Sequence, residues 1–433
     1  MQLKVSKRKH LEPVEISLTG AKNALLHLMF ASLLPIGTTR FLNVPTSLRD
    51  YRGICDILRY LGTEVNELDE KTVELTSHIQ AQSIDLSIDY TKKTRTSLML
   101  LGALSKQVKS LRIGYPGGCS FAEERPFDIH VDGLRALGAA VKVDEYHIEV
   151  TKTQEKNAEF RLKYPSVGAS INLMLYAARG KSIVKLHNIA LEPEVVEVAS
   201  FINQCGGKVR IDHKKRAMQI NGSNMLKGVS FAVMYDRIQT MSYAALAYLH
   251  HLDVVVLGVS TKEYIDAPLK VLTKIGARWQ FNAAKQSIQF FGSKSKLVKT
   301  KITAEPYPAF PTDLQPIFAV MLSAANGESS ILDTVYPERV KYVAELQKIG
   351  FPILFDGKQI KITPLNQCKK PLASATMKSF DLRAGMAVIM AASLCEKVCY
   401  ITHAEQVFRG YERLLENMTH FMHIAVATEY YEK

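Results

Sequence analysis

The sequence is poor in cysteine and contains a single tryptophan: its 433 residues include only six cysteines. None of the six has the close Cys/His spacing of a structural metal site. Cys395 and Cys399 lie four residues apart in an apolar segment and are predicted to be core residues. So few cysteines argue against a disulfide-built scaffold and favour a reducing, cytoplasmic compartment. We expect no metal site.

The sequence also lacks an apolar run long enough to cross a bilayer. Residues 25–34 follow a basic start and could be mistaken for the apolar part of a signal peptide. However, Glu12, Glu15 and two strand-like stretches precede this run, and similar runs recur along the chain. It is therefore predicted to be a core helix, and we expect no membrane partner.

Acidic residues are outnumbered: 55 Lys and Arg face 42 Asp and Glu, which gives a formal net charge of +13. The basic residues are scattered along the chain, as on a soluble basic surface. An anionic ligand, either nucleic acid or a phosphorylated metabolite, is the alternative. Charge alone does not choose between them. The length exceeds that of one ordinary core and predicts two domains of about 200 residues each.

A helical pattern that ends in glycine and leads into a strand recurs about every 70 residues, as expected of repeated supersecondary units. Each glycine is predicted to end a helix as its C-cap. The five copies end at Gly62, Gly138, Gly206, Gly276 and Gly350. A sixth copy is expected near Phe421 and Met422, where the glycine is missing.

A second element recurs in the same phase: a polar start followed by a helix of small and apolar residues. The helices at 171–178 and 386–394 are apolar around nearly their whole circumference and are predicted to be buried. Six such units predict an α/β fold with two domains of three units. Because a helix start exposes free N–H groups, these starts are candidate anion sites. Asp236, Asp313 and Asp381 lie at such starts and are either site residues or N-caps.

Nine short motifs follow one another along the chain. They are Gly20-Ala21-Lys22-Asn23-Ala24, Pro116-Gly117-Gly118-Cys119, Arg125-Pro126 with Asp128 and His130, Ser166-Val167-Gly168-Ala169, Glu192-Pro193-Glu194, Asp236-Arg237-Ile238, Pro308-Ala309-Phe310-Pro311-Thr312-Asp313, Asp381-Leu382-Arg383-Ala384 and Arg409-Gly410-Tyr411-Glu412-Arg413. In this order, from about residue 16 to residue 413, they resemble the enolpyruvyl transferase family. The resemblance is closer to the branch that acts on UDP-N-acetylglucosamine.

The resemblance implies a two-domain inverted α/β barrel of six repeated strand–helix units, with the active site in the interdomain cleft. The first strand would join the C-terminal domain, giving one domain of residues 1–20 plus 234–433 and another of 21–233 that carries the Cys119 loop. The implied reaction moves the enolpyruvyl group of phosphoenolpyruvate to the 3′-hydroxyl of UDP-N-acetylglucosamine and releases phosphate. It is the first committed step of peptidoglycan synthesis, takes place in the cytoplasm and needs no cofactor.

Phosphoenolpyruvate packs a phosphate and a carboxylate close together, so its site needs dense positive charge with planar donors. The family resemblance implies catalytic roles for Cys119 as proton donor and Asp313 as base, together with Lys22 and Arg409. The implied phosphoenolpyruvate ligands are Lys22, Asn23, Arg125, Arg383 and Arg409. The implied nucleotide-sugar contacts are Arg95, Arg125, Pro126, Phe127, Asp128, Ile129, Tyr164, Ser166, Val167, Asp313 and Val335.

The nucleotide-sugar side departs from the family pattern. Tyr164 stands where the family usually has a lysine, with Lys163 adjacent, and Leu191 replaces an arginine. A divergent paralogue that uses another nucleotide sugar is therefore an alternative. Transfer to shikimate phosphate is disfavoured because that branch lacks the Pro-Gly-Gly-Cys loop. A non-catalytic or RNA-binding relative is a further alternative, but the sequence has no aromatic–basic interleaving, and we expect no nucleic-acid partner.

Overall fold

The computed structural model describes residues 1–117, 127–151 and 155–427. The strands within these described residues are short. In most of them buried residues alternate with exposed ones, which is the pattern of a strand with one face toward the core. They are β1 (Gln2–Lys7), β2 (Val14–Ser17), β3 (Thr38–Leu42), β4 (Thr63–Glu67), β5 (Val73–Ser77), β6 (Ser83–Leu86), β7 (Ser110–Gly114), β8 (Ala140–Val143), β9 (His147–Thr151), β10 (Ala158–Arg161), β11 (Ile183–His187), β12 (Lys208–Asp212), β13 (Ala217–Asn221), β14 (Ser230–Ala232), β15 (Asp253–Leu257), β16 (Trp279–Asn282), β17 (Ser287–Phe291), β18 (Lys301–Ala304), β19 (Ser329–Asp333), β20 (Ile353–Phe355), β21 (Ile360–Ile362), β22 (Thr376–Lys378), β23 (Cys399–Thr402) and β24 (Met422–Val426).

Helices alternate with these strands along the chain. The α-helices of the described residues are α1 (Lys22–Ala31), α2 (Arg49–Tyr60), α3 (Ile88–Thr91), α4 (Met99–Leu104), α5 (Asp128–Ala136), α6 (Val167–Ala178), α7 (Pro193–Gln204), α8 (Arg237–Leu249), α9 (Asp266–Lys274), α10 (Gln315–Met321), α11 (Lys341–Gln347), α12 (Leu382–Ala392) and α13 (Leu414–Met418). Short 3₁₀ helices cover Arg95–Leu98, Glu263–Ile265, Gly292–Lys294, Thr312–Leu314, Leu322–Ala324, Leu365–Gln367 and Ala404–Arg409.

The described strands form six four-stranded sheets that share one topology. In the sheet of order β6-β7-β9-β8, the first pair is parallel and the next two pairs are antiparallel. The same pattern holds in β10-β11-β13-β12, β18-β19-β21-β20, β14-β3-β5-β4, β2-β15-β17-β16 and β22-β23-β1-β24. Six copies of one sheet confirm the predicted α/β class and the sixfold repeat.

The chain divides into two compact units of three sheets each. The first unit comprises Met1–Leu18 and the described residues from Tyr235 onward, and the second comprises the described residues between 19 and 234. Both N-terminal strands belong to the first unit, because β1 pairs with β23 and β24 and β2 pairs with β15. In exchange, β14 completes the β3 sheet of the second unit. The roles assigned to the two predicted domains stay predictions.

Within each unit, one set of helices is enclosed by the sheets. Every residue of α8 and α12 is buried, and so is every residue of α6 from Ala169 onward. The predicted core helix at residues 25–34 is confirmed as well, since α1 is buried except at Asn23. An enclosed helix needs apolar residues around its whole circumference, which explains the absence of a polar stripe. Among the described residues, the inverted barrel that the family resemblance implies consists of separate four-stranded sheets around buried helices.

The five repeat glycines have the backbone conformation predicted for helix C-caps. Their φ angles are 87°, 98°, 95°, 81° and 75° in chain order, from Gly62 to Gly350. Side chains with a Cβ disfavour this left-handed region, so glycine is the residue that turns each helix into the following strand. The sixth turn, residues 419–421 between α13 and β24, is built without a positive φ and needs no glycine.

Candidate active site

In the first unit, Asp313 is held between two buried arginines. Its Oδ1 atom accepts a hydrogen bond from Arg339 Nη1 at 3.0 Å, and its Oδ2 atom accepts one from Arg383 Nε at 3.3 Å. The two arginine side chains are only 5% and 2% exposed, whereas Asp313 is 26% exposed. This Asp313 cluster, Asp313 with Arg339 and Arg383, joins an accessible carboxylate to two cationic groups.

Helix starts position the cluster. Arg383 is the second residue of α12, and Asp381 caps that helix by accepting from the backbone N–H groups of Arg383 and Ala384. Asp236 caps α8 in the same way. The N-cap interpretation is therefore right for Asp381 and Asp236. It is wrong for Asp313, whose side chain caps no helix and is used for ion pairs instead.

The loop after β19 supports the cluster from the other side. Asp333, at the end of β19, accepts from the Thr312 hydroxyl at 2.6 Å and from the backbone N–H of Val335 at 2.9 Å. Arg339 donates to the Thr312 carbonyl at 3.0 Å. These bonds tie the segment that carries the predicted contact Val335 to the segment that carries Asp313.

Electrostatics keep Asp313 ionised. Burial acts to raise its pKa, but the positive charges of Arg383 and Arg339 outweigh burial and hold the pKa of Asp313 well below its usual range. At neutral pH the carboxylate can therefore orient a hydroxyl group and accept hydrogen bonds from it. A pKa this low makes it a weak base by itself.

Arg409, the fourth predicted residue in this unit, ends the 3₁₀ helix Ala404–Arg409. Its Nη1 atom donates to Gln406 Oε1 at 3.1 Å. This hydrogen bond joins the guanidinium group of Arg409 to its own 3₁₀ helix. The role of Arg409 in binding the phosphate stays a prediction.

In the second unit, Lys22 begins α1 and forms a buried ion pair with Asp50 of α2. The Nζ–Oδ2 distance is 2.8 Å, and both side chains are less than a tenth exposed. The neighbouring predicted residue, Asn23, accepts a hydrogen bond from His27 Nδ1 through its backbone carbonyl at 2.7 Å. Asp50 thus holds the ammonium group of Lys22 at the start of a buried helix.

The predicted nucleotide-sugar contacts 127–129 lie at the start of α5. Asp128 is paired there with Lys163, whose hydrogen bond lowers the pKa of Asp128, and Lys163 Nζ also lies 3.8 Å from Asp132. Phe127 meets Tyr115 edge to face at 5.1 Å, and Ile129 is partly buried. The pairing joins the start of α5 to the segment that leads into α6.

The remaining predicted contacts of this unit lie at two further helix starts. Ser166 caps α6, its hydroxyl accepting from the backbone N–H of Ala169 at 3.3 Å, and Val167 is the first residue of that helix. Tyr164 precedes the cap and is 40% exposed. Arg95 begins the 3₁₀ helix Arg95–Leu98, which Thr94 caps.

Cys119, Arg125 and Pro126 lie outside the described residues. The chain that leads to them is anchored as far as Gly117, whose backbone N–H donates to the Thr91 carbonyl at 3.2 Å. Among the predicted site residues that the structure describes, a direct contact joins Asp313 to Arg383. The meeting of the predicted residues of the two units at one site stays a prediction.

Sequence reasoning missed three residues that hold the predicted ones in place: Asp50, Asp333 and Arg339. Of these three, only Asp50 carries a signal in the sequence, because it is an acidic residue in the first turn of a helix.

In the described ranges no three His, Cys, Asp or Glu side chains come together as a metal site. None of the helices described there has the length and apolar character that crossing a membrane requires.

The family model of EPSP synthase (3-phosphoshikimate 1-carboxyvinyltransferase) matches residues 6–418. The chain belongs to this family. It is therefore a transferase of the enolpyruvyl, or 1-carboxyvinyl, class. Among curated relatives, the UDP-N-acetylglucosamine 1-carboxyvinyltransferase of Halothermothrix orenii is 34% identical over 406 residues, which cover 94% of both chains. UDP-N-acetylglucosamine 1-carboxyvinyltransferase 1 of Symbiobacterium thermophilum is also 34% identical, covering 94% of this chain and 90% of its own.

Solved structures of the class share the fold. The enolpyruvyl transferase NikO from Streptomyces tendae superposes with a TM-score of 0.86 over 99% of both chains, at 17% identity. An EPSP synthase from Acinetobacter baumannii superposes with a TM-score of 0.71 over 98% of this chain and 100% of its own, at 16% identity. At such low identities these likenesses concern the fold alone.

Proposed function

We propose that this enzyme transfers the enolpyruvyl group of phosphoenolpyruvate to the 3′-hydroxyl of UDP-N-acetylglucosamine in the cytoplasm, as the first committed step of peptidoglycan synthesis. The observation that carries the proposal is the 31–34% identity, over more than nine-tenths of this chain, to relatives that bear this activity in their names. The enzyme would then be required for cell-wall synthesis, and through it for cell shape and cell division.

The reaction balances as an addition followed by an elimination. The 3′-hydroxyl oxygen bonds to the phosphate-bearing carbon of phosphoenolpyruvate, the hydroxyl proton leaves, and a proton is added to the methylene carbon. The phosphate then departs with its bonding electrons, and the methyl group loses a proton to restore the double bond. No electrons enter or leave overall, so the reaction needs proton donors, proton acceptors and charge stabilisation.

The chain's residues divide these tasks between them in our proposal. Cys119 delivers the proton to the methylene carbon, while Lys22, Arg125 and Arg409 hold the phosphate. Arg383 remains a phosphoenolpyruvate ligand in the proposal, and it pairs with Asp313, whose ionised carboxylate orients the 3′-hydroxyl. Because the positive charges of Arg339 and Arg383 stabilise the ionised form of Asp313, its carboxylate is better suited to orient the hydroxyl than to remove its proton unaided.

Phosphate release tests the proposal. The purified protein is given phosphoenolpyruvate with UDP-N-acetylglucosamine, with other nucleotide sugars and with shikimate 3-phosphate in separate reactions. We expect release only with UDP-N-acetylglucosamine. Release with another nucleotide sugar instead would favour the divergent-paralogue alternative, and release with shikimate 3-phosphate alone would contradict the proposal.

Labelling of Cys119 is a second readout that does not depend on turnover. Fosfomycin, an anionic epoxide, is expected to alkylate Cys119 and not Cys368, a partly exposed cysteine outside the predicted site. Cys119→Ser should lose both labelling and transfer, while the matched control Cys368→Ser should keep both. Unmodified Cys119 in the mass spectrum of treated protein would count against a reactive thiol.

A further inference from the structure

Two cysteines that the proposed reaction does not use lie together where the chain passes from α12 to β23. Cys395 follows the end of α12, and Cys399 is the first residue of β23. Both side chains are fully buried, which confirms their predicted place in the core. The two thiols are hydrogen-bonded to each other. Two sulfur atoms in contact can form a covalent bond wherever the backbone allows it.

Strand β1 sets the separation of the two cysteines. In the antiparallel pairing of β1 with β23, Val5 lies opposite Cys399. Two residues further along β1, the backbone N–H of Lys7 donates to the Cys395 carbonyl at 2.9 Å. Two residues of a strand rise about 6.8 Å, and disulfides join residues whose Cα atoms are about 4.4–6.8 Å apart. The backbone therefore allows a bond between the two sulfurs.

The three residues between the cysteines form an exposed turn over the buried pair. Residues 396–398 are all exposed, whereas the cysteines on either side of them are buried. The two sulfurs point inward, Cys395 Sγ lying 3.9 Å from the Ala391 carbonyl oxygen and Cys399 Sγ 3.9 Å from that of Ala373. An exposed turn opens more readily than the packed core beneath it, so a small oxidant can reach the sulfurs through this turn.

The contact between the thiols makes one of them the better nucleophile. The hydrogen bond from Cys395 lowers the pKa of the Cys399 thiol, although burial opposes this shift. The same hydrogen bond, and after it burial, raises the pKa of the Cys395 thiol. Cys205 is buried without such a thiol contact, and burial raises its pKa to about 12. Cys399 is therefore the member of the pair that ionises first, and the thiolate is the form that oxidants attack.

We propose that Cys395 and Cys399 are a modification site, at which a hydroperoxide converts the two thiols into a reversible disulfide that joins the end of α12 to the start of β23. The low cysteine content favours a reducing compartment, so the dithiol is the resting form and the disulfide forms under oxidative conditions. The inference does not depend on the acceptor sugar or on the transfer reaction.

The oxidation balances in two steps with hydrogen peroxide as the oxidant. The Cys399 thiolate attacks one peroxide oxygen, an S–O bond forms, the O–O bond breaks, and hydroxide leaves and is protonated to water. The Cys395 sulfur then attacks the sulfenic sulfur of Cys399. An S–S bond forms, the S–O bond breaks, and the hydroxide that leaves takes the Cys395 proton as a second water. The two sulfurs together lose two electrons, and a dithiol reductant returns them.

Peptide mass spectrometry can detect this bond directly because Lys397 lies between the two cysteines. Trypsin cleaves after Lys397 and places the cysteines on separate peptides, residues 384–397 and 398–409, which only a disulfide holds together. The folded protein is treated with hydrogen peroxide, its remaining thiols are blocked with iodoacetamide in denaturant, and it is digested without reductant. We expect the cross-linked peptide pair, and dithiothreitol should separate it.

Two matched variants control this measurement. Cys395→Ser should lose the cross-link, while Cys368→Ser, which removes a partly exposed cysteine outside the pair, should keep it. In wild-type protein, iodoacetamide adducts on both Cys395 and Cys399 after a treatment that has oxidised Cys368 would overturn the inference. A disulfide from either member of the pair to a different cysteine would overturn it as well.

Thermal denaturation tests whether the native turn accommodates the bond. A disulfide that fits the folded structure restricts mainly the unfolded chain, so oxidised wild type should melt about 2–4 °C higher than reduced wild type. Dithiothreitol should reverse the shift, and Cys395→Ser given the same peroxide treatment should not show it. A lower melting temperature for the cross-linked protein, or equal shifts in wild type and Cys395→Ser, would contradict a bond formed in the native turn.

Discussion

Replacing Asp313 by asparagine removes the negative charge between two buried guanidinium groups. Arg339 and Arg383 are 5% and 2% exposed, so their charges have little access to water once Asp313 is neutral. Breaking a buried ion pair by removing one partner costs about 3–5 kcal/mol. We expect Asp313→Asn to lower the free energy of unfolding by about this amount in urea denaturation at pH 7, and to abolish transfer.

A matched control and a double variant test the cause of this loss. Asp266→Asn breaks the exposed ion pair with Lys270, whose N–O distance is 2.6 Å, and should cost less than about 1 kcal/mol. Adding Arg339→Met to Asp313→Asn should recover part of the stability, because it removes one uncompensated charge. If Asp313→Asn costs no more than Asp266→Asn, the ion pairs do not stabilise the cluster and the reasoning is wrong.

Burial raises the pKa of the Glu197 carboxyl from 4.5 to about 7. Between these two pH values the folded protein keeps the carboxyl proton, whereas the unfolded chain has lost it. The free energy of unfolding therefore falls as the pH rises from 4.5 to 7. Glu197→Gln should therefore match wild type at pH 4.5 and be more stable by up to about 3 kcal/mol at pH 8 in denaturant titrations; equal stability of the two proteins at both pH values would contradict this reasoning. Gly117→Ala should slow transfer strongly in steady-state assays with the fold intact, because its Cβ would lie 1.8 Å from the Lys92 carbonyl oxygen and displace the base of the Cys119 loop. Gly53→Ala is its control, because the new Cβ inside α2 would meet no atom closer than 3.7 Å. This control should raise the free energy of unfolding by about 0.5–1 kcal/mol. Normal transfer rates for Gly117→Ala would show that the close approach of Gly117 to Lys92 does not matter for activity.

The repeat architecture could be predicted from the sequence because it depends on local rules. A glycine such as Gly138 is needed wherever a helix turns into a strand through a left-handed residue, so its period reveals the unit. Helices without a polar face, such as α12, had to be buried. The exchange of β1 and β14 between the units left no such signal, since strand pairing over hundreds of residues is set by tertiary packing.

The candidate site could be predicted only in its motif residues. Arg339 lies outside every motif, and its role follows from the 3.0 Å contact with Asp313 that only the folded chain brings about. The acid residues at helix starts were ambiguous for a physical reason: an aspartate can cap a helix or leave it to pair with a cation. Asp381 does the first and Asp313 the second, and the difference depends on arginines distant in sequence.

The most direct test of the central claim is the product itself. After incubation of the protein with phosphoenolpyruvate and UDP-N-acetylglucosamine, mass spectrometry and proton NMR should detect the nucleotide sugar with one enolpyruvyl group at its 3′ oxygen, with one phosphate released per product. UDP-N-acetylglucosamine recovered unchanged, from protein that is folded and binds both substrates, would contradict the account.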